Sequence, residues 1–279
     1  MTKTRDPKLP QRLSPSSADT WINCPKKWWG KYVFGVDDPP GPAAEMGTLV
    51  HSALEDLYNA DPEVRSVAVA SKSMRDHARR MADEGAFAGV EDATLFMREA
   101  WARLLTIWNV EDPQKVDVVS TETKLHTEVG GVPFTGIIDR IERIGDRVVV
   151  NDYKTGKRDM RYRDSKDRQL RLYVVAVNNA MDEKAEGARI IWLSTRGYID
   201  EVPTDPISME ATTMEFASVW DQMKFAIDND EWPEKPGPLC GWCPVLAMCE
   251  SGKSEVRMRA RSGNLKETAP AWAIEEQWR

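Results

Sequence analysis

Three residues in two short stretches have the types and spacing for hydrolytic chemistry. In "VVVNDYKTGK", Val148, Val149 and Val150 lead into Asp152, Tyr153 and Lys154. Side chains alternate along a strand, so Asp152 and Lys154 share one side and Tyr153 takes the other. The preceding stretch, "GIIDRIER", places Asp139 on the same side as Ile137 and Ile141. An Asp on an otherwise apolar face must be paired, neutralised or metal-bound. The short connection between the stretches implies a hairpin in which Asp139 and Asp152 converge. Two carboxylates at one site repel unless a cation lies between them. A hard ion such as Mg²⁺ takes one or two carboxylates with water and phosphate oxygens. The outline is that of phosphodiester hydrolysis: the ion polarises the phosphate and lowers the pKa of a water, and Lys154 orients or deprotonates that water and offsets charge. A strand-end salt bridge would explain Asp152 and Lys154 alone; Asp139 is what turns the balance.

Two further residues bear on this set. His51, in "MGTLVHSALEDL", is either a hydrogen-bonded core histidine or an imidazole completing the coordination of Mn²⁺ or Mg²⁺. Glu122, in the strand before Asp139, reads as a solvent-facing strand residue ahead of an acidic contributor.

The elements that must position these residues change character along the chain. Residues 1–13 form a polar tail, and a helix opens at Ser14 as N-cap with Pro15 at its first position. Met46, Leu49, Val50, Ala53, Leu54 and Leu57 recur at helical spacing around His51. Residues 62–109 read as two or three helices, ended by "EDP". Three strands follow from Lys115, turning at Gly130-Gly131 and Gly145-Asp146, then a helix over "DSKDRQLRLYVVAVNNAM", a fourth strand "ARIIWLST" and a long helix before the cysteines. Residues 251–279 read as a charged, poorly patterned tail, docked or mobile. The order predicts an α/β fold, a mixed sheet with helices on it, in a single domain over 14–250 with 62–109 as a helical insertion.

The chain has four cysteines, Cys24 alone and Cys240, Cys243 and Cys249 in "CGWCPVLAMC". Four thiolates suit tetrahedral zinc or an iron–sulfur cluster. One distant ligand plus C-x₂-C-x₅-C is unlike the paired knuckles of a zinc ribbon, yet on chemistry alone the two metals stay close.

These pieces together resemble the RecB-type exonuclease family of the PD-(D/E)XK nuclease superfamily. Gly47 and His51 match its G-x-x-x-H, Gly136, Asp139 and Arg140 its G-x-x-D-R, Asp152 to Thr155 its D-Y-K-T, and Gln169 and Tyr173 its Q-x-x-x-Y. The resemblance implies a restriction-endonuclease-like core and a Mg²⁺- or Mn²⁺-dependent DNA exonuclease. It makes His51, Asp139, Asp152 and the Tyr153 carbonyl the metal ligands and Lys154 the catalytic lysine. Gln169, Tyr173 and Arg140 become DNA contacts. In an iron–sulfur branch of the family one cysteine precedes the core and three follow it, as Cys24 and the 236–250 segment do here. That branch implies a 4Fe-4S cluster clamping the N-terminal helix to the C-terminal segment, in stand-alone proteins like CRISPR-associated or phage exonucleases, with partners in recombination, repair or CRISPR-related complexes.

Composition bounds the alternatives. The 279 residues, 41% hydrophobic and 30% charged, suit one large or two small soluble domains. No apolar run is long enough for a bilayer and no secretory signal is visible, so a cytoplasmic location is expected. A net charge of −7 disfavours a non-specific nucleic-acid coat. It allows a local groove lined by Lys26, Lys27, Lys31 and the basic run from Arg158 to Arg171, with Trp28, Trp29 and Tyr32 for stacking or for packing. No G-x-x-x-x-G-K-[ST] loop is present, which argues against an ATP-driven motor. A non-catalytic binding protein that keeps the fold, and an iron–sulfur redox protein, are the competing readings.

Overall fold

The computed structural model describes residues 8–194 and 196–271. Residues 1–7 and 272–279 of the expected tails, and Thr195 at the end of the expected fourth strand, lie outside that range. The chain forms two compact units, one holding residues 40–214 and the other drawing on the chain to either side of it.

The flanking unit begins with α1 (Pro15–Asn23), where the Ser14 side chain accepts the Ser17 N–H and Pro15 occupies the first turn. The expected cap is therefore present. Cys24 ends this helix in an extended conformation, as a residue before proline must, and α2 (Pro25–Trp29) follows. Trp28 is buried and donates its indole N–H to Ser17 Oγ at 2.9 Å. It stacks on Trp232 with ring centroids 6.1 Å apart.

In the larger unit, α3 (Pro42–Asn59) carries the apolar stripe read from the sequence; Leu49, Val50, Ala53, Leu54 and Leu57 are all fully buried. The block after it folds as α4 (Val67–Asp83), α5 (Ala93–Leu105) and the short α6 (Ile107–Val110), and packs with α3 into one apolar core that also takes Tyr153, Ile191 and Leu193. The sheet has β1 (Asp117–Val129), β2 (Val132–Ile144), β3 (Arg147–Lys154), β4 (Ala185–Trp192) and β5 (Tyr198–Val202), in that spatial order. The β1–β2 and β2–β3 pairs are antiparallel, β3–β4 is parallel, and β4–β5 is antiparallel. The parallel step uses α7 (Arg163–Ala180) as its crossover. Gly130 and Gly131 both take positive φ in the β1–β2 turn, the conformation a two-residue hairpin requires. The sheet is thus the mixed one expected, with β5 added: "YIDEV" is short and half polar, and pairs only along an edge.

A long helix, α8 (Pro206–Asn229), follows the sheet. Beyond the cysteines, where a docked or mobile tail was expected, α9 (Glu250–Arg261) forms. Its charges are spent on its own turns, with Arg259 bonding Glu255 at 2.6 Å, while Val256 is buried with Leu246, Leu265, Ala269 and Ala271 in a small second core. Among the described residues no helix is long and apolar enough to cross a membrane.

Candidate functional site

The β2–β3 ladder runs from Ile144↔Arg147 to Arg140↔Asn151 and then stops. One step further along the same register Asp139 faces Asp152. There the strands part, and the Tyr153 N–H donates to Asp139 Oδ2 at 2.7 Å. The Tyr153 carbonyl lies 3.1 Å from His51 Nε2, and His51 Nδ1 lies 3.5 Å from Asp139 Oδ2. Lys154 Nζ sits 2.5 Å from Asp152 Oδ2. From α7, Gln169 donates to Asp152 Oδ1 at 3.1 Å and to the Tyr173 hydroxyl at 3.1 Å. His51, Asp139, Asp152, Tyr153, Lys154, Gln169 and Tyr173 are therefore brought to one place by α3, β2, β3 and α7.

Glu122 joins them, against its reading as a solvent-facing strand residue. It lies opposite Asp139, between the pairs Thr121↔Arg140 and Thr123↔Ile138, and its φ is 41°. A left-handed residue within a strand is sparsely populated and strained. Residues opposed across an antiparallel pair share a face, and single ligand atoms of His51, Glu122 and Asp139 all lie within 4.8 Å of one another. Its own strand does not reveal this, because the partner of Glu122 is set by the register between β1 and β2.

The electrostatics are those of crowded carboxylates. Burial, then Asp139, pushes Glu122 up to about 7. Burial also lifts Asp152, with Asp139 adding to the rise and Lys154 opposing it. For Asp139 burial acts upward, but His51, Lys154 and the Tyr153 N–H together hold it below the usual range. Burial would lower His51 and Lys154; the neighbouring Asp139 and Asp152 raise both instead. An imidazole and two carboxylates in such proximity, with Asp152 beside them on Lys154 and Gln169, are a hard-donor set that a divalent cation would relieve of its repulsion.

Arg140 is not available as a DNA contact. Its side chain is fully buried, and it donates to both oxygens of Glu111 at 2.5 and 2.9 Å and reaches Glu142 at 2.9 Å. The basic run at the start of α7 is largely engaged within the protein as well. Arg158 and Arg163 pair with Asp200, Arg161 with Asp159, and Arg171 bonds the Pro203 carbonyl. In the flanking unit, Trp28 is core, Lys26 lies over Trp29 at 4.2 Å, and Tyr32 keeps an exposed ring.

All four cysteines line one cavity of about 420 Å³ in the flanking unit, and none is in a disulfide. Cys240 Sγ accepts the Gly237 N–H and Cys249 Sγ the Gly252 N–H, each at 3.3 Å. Burial raises the Cys240, Cys243 and Cys249 thiols, Cys243 to about 11. Among the described residues no three cysteine sulfurs lie within 4.8 Å of one another.

A family model described as the PD-(D/E)XK nuclease superfamily matches residues 12–250. No curated protein matches the chain. Among solved structures, a candidate exonuclease from Eubacterium rectale is similar over 88% of this chain and 88% of its own, at 13% identity and a TM-score of 0.56, a likeness of fold. SSO0001 is aligned over 74% of this chain and 95% of its own, at 16% identity and a TM-score of 0.35.

Proposed function

The chain belongs to the PD-(D/E)XK nuclease superfamily, and from that premise we propose that it is a divalent-metal-dependent exonuclease hydrolysing DNA phosphodiester bonds at single strands or ends. The convergence of Asp139, Asp152, Lys154 and His51 where β2 and β3 part carries the reading. The RecB-type assignment rests on the motifs around these residues.

The donor set fits Mg²⁺ or Mn²⁺: His51, Asp139, Asp152 and the Tyr153 carbonyl would hold it, with Glu122 beside them. Bound there, the ion would polarise the scissile phosphate and lower the pKa of water. The chain supplies the rest. Asp139 is fixed by the Tyr153 N–H, and Asp152 by Gln169. Lys154 holds a proton at Nζ because two carboxylates face it, which suits it to orient a water and to offset charge on a phosphoryl oxygen. Gln169 and Tyr173, at one edge of this set, would lie along the strand being cut.

The reading of this cavity as a 4Fe-4S site is supported by the family resemblance and by all four cysteines lining it. A Zn–S bond of about 2.3 Å would set the sulfurs of a tetrahedron roughly 3.8 Å apart. A cubane spreads its four thiolates more widely, and backbone N–H groups already point at two of the sulfurs.

The test uses anaerobically purified protein with single- and double-stranded DNA labelled at either end, in Mg²⁺ or Mn²⁺, beside Lys154→Ala. Cleavage by the wild type and a loss of about 10²-fold or more in the variant are expected. No cleavage by the wild type, or equal cleavage by both, refutes the mechanism. The position of the label reports polarity.

A further inference from the structure

Beneath the catalytic strands lies a chain of buried charges that catalysis does not use. Arg140 follows Asp139 directly in β2, and its side chain is fully buried. Its guanidinium grips Glu111 with two hydrogen bonds and Glu142 with an ion pair. Glu111 also accepts from the Tyr58 hydroxyl. Glu142 also takes Arg189, whose Nε donates to Asn151 at 3.0 Å. The ladder therefore reads Tyr58, Glu111, Arg140, Glu142, Arg189, Asn151. It ties α3 to β2, β4 and β3.

Each end touches an element that carries a site residue. Tyr58 is on the same helix as His51, Arg140 adjoins Asp139, and Asn151 adjoins Asp152. The guanidinium also lies 4.3 Å from the Tyr58 ring and 5.5 Å from the Tyr153 ring. Tyr153 is the residue whose N–H holds Asp139 and whose carbonyl meets His51. Burying such a ladder is a poor way to gain stability, because desolvation offsets most of the attraction and apolar replacements often do as well. What a planar, bidentate fork provides is geometry.

We infer that Arg140 is a positioning residue: its buried ladder to Glu111, Glu142 and Tyr58 sets the spacing between His51, Asp139 and the Tyr153 carbonyl, and so the affinity of the site for a divalent cation. This rests on the proposed metal site, and the experiment separates the two. Mn²⁺ binding to the full chain is titrated by the loss of the free-ion paramagnetic resonance signal, with thermal unfolding recorded alongside. The proteins are wild type, Arg140→Lys, Tyr58→Phe and Leu104→Val. Arg140→Lys keeps the buried charge and loses the fork; Tyr58→Phe loses only one hydroxyl; Leu104→Val weakens the same core away from the ladder. Partners that orient metal ligands typically govern 10- to 100-fold in affinity. Arg140→Lys should raise the Kd for Mn²⁺ about tenfold or more, Tyr58→Phe about threefold, and Leu104→Val less than twofold whatever its loss of Tm. Wild-type affinity in both ladder variants overturns the positioning role while the metal site stands. A wild type that binds no Mn²⁺ overturns both. Should Arg140→Lys not fold, Tyr58→Phe decides.

Discussion

The Tyr153 N–H donates to Asp139 Oδ2 at 2.7 Å, at the first position where β2 and β3 no longer pair. A side chain thus takes the place of a ladder carbonyl. Asp139 has two separable duties, accepting a backbone N–H and supplying negative charge. Asp139→Asn keeps an acceptor oxygen and should unfold within a few degrees of the wild type in EDTA, yet lose Mn²⁺ binding and cleavage. Asp139→Ala should lose both and also about 1–3 kcal/mol, the cost of an orphaned buried N–H. Thermal melts and cleavage assays on the two variants check this; equal melting temperatures would show that the N–H finds another partner.

Glu122 predicts a stability that depends on pH. Its carboxyl is raised from 4.5 to about 7 by burial and by Asp139, so the folded state holds the proton more tightly than the unfolded chain. Below about pH 4.5 both states are protonated and nothing is lost. As pH rises from there through 7 the unfolded state ionises first, and stability falls, reaching its full cost above 7. Partial solvent access reduces that cost to about 1–2 kcal/mol. Glu122→Gln should therefore melt about 2–6 °C above the wild type at pH 8 in EDTA and level with it at pH 4.5. Mn²⁺ should reverse the order at pH 8. A pH-independent difference would remove Glu122 from the coupled set.

Gly136 illustrates a motif residue with a packing cause. A Cβ there would come within 2.7 Å of the Tyr173 ring and 3.0 Å of Phe134. Tyr173 is the hydroxyl partner of Gln169, which holds Asp152. Gly136→Ala should cost about 1–3 kcal/mol by overpacking and lower cleavage with it. The same substitution combined with Tyr173→Phe should not restore stability, because the clash is with the ring.

The parts of this molecule that follow a period were legible in the sequence. The buried stripe of α3 and the alternation Val148, Val150, Asp152, Lys154 placed the trio and the helix that brings His51 to it. Glu122 was misread because its neighbour Asp139 follows from the register of β1 on β2 and not from its own strand. Arg140 was misread for a different reason. The resemblance made it a DNA contact, and only the fold reveals that Glu111, 29 residues upstream, turns inward to meet it. The strand β5 and helix α9 were hidden by their polar composition. Each is stabilised by what it pairs or packs against, not by its own pattern.

The cysteines give the last prediction. Val245 lies between Cys243 and Cys249, and its Cγ1 would be 1.9 Å from a Cβ placed on Gly30. The cysteine loop therefore lies against the helical turn that follows Cys24, and the four sulfurs share a cavity there. A cluster bound to all four would clamp these segments, much as a structural metal supplies folding energy to a small unit. Anaerobically prepared protein should carry about four irons and four acid-labile sulfides per chain, with broad visible absorbance and no stoichiometric zinc. Cys24→Ser should lose the iron, melt at least about 5 °C lower, and become sensitive to limited proteolysis between residues 235 and 262. Zinc at one per chain would replace the cluster by a single ion. Cys24→Ser that keeps its iron and its melting temperature would leave Cys24 outside the site and end the clamp.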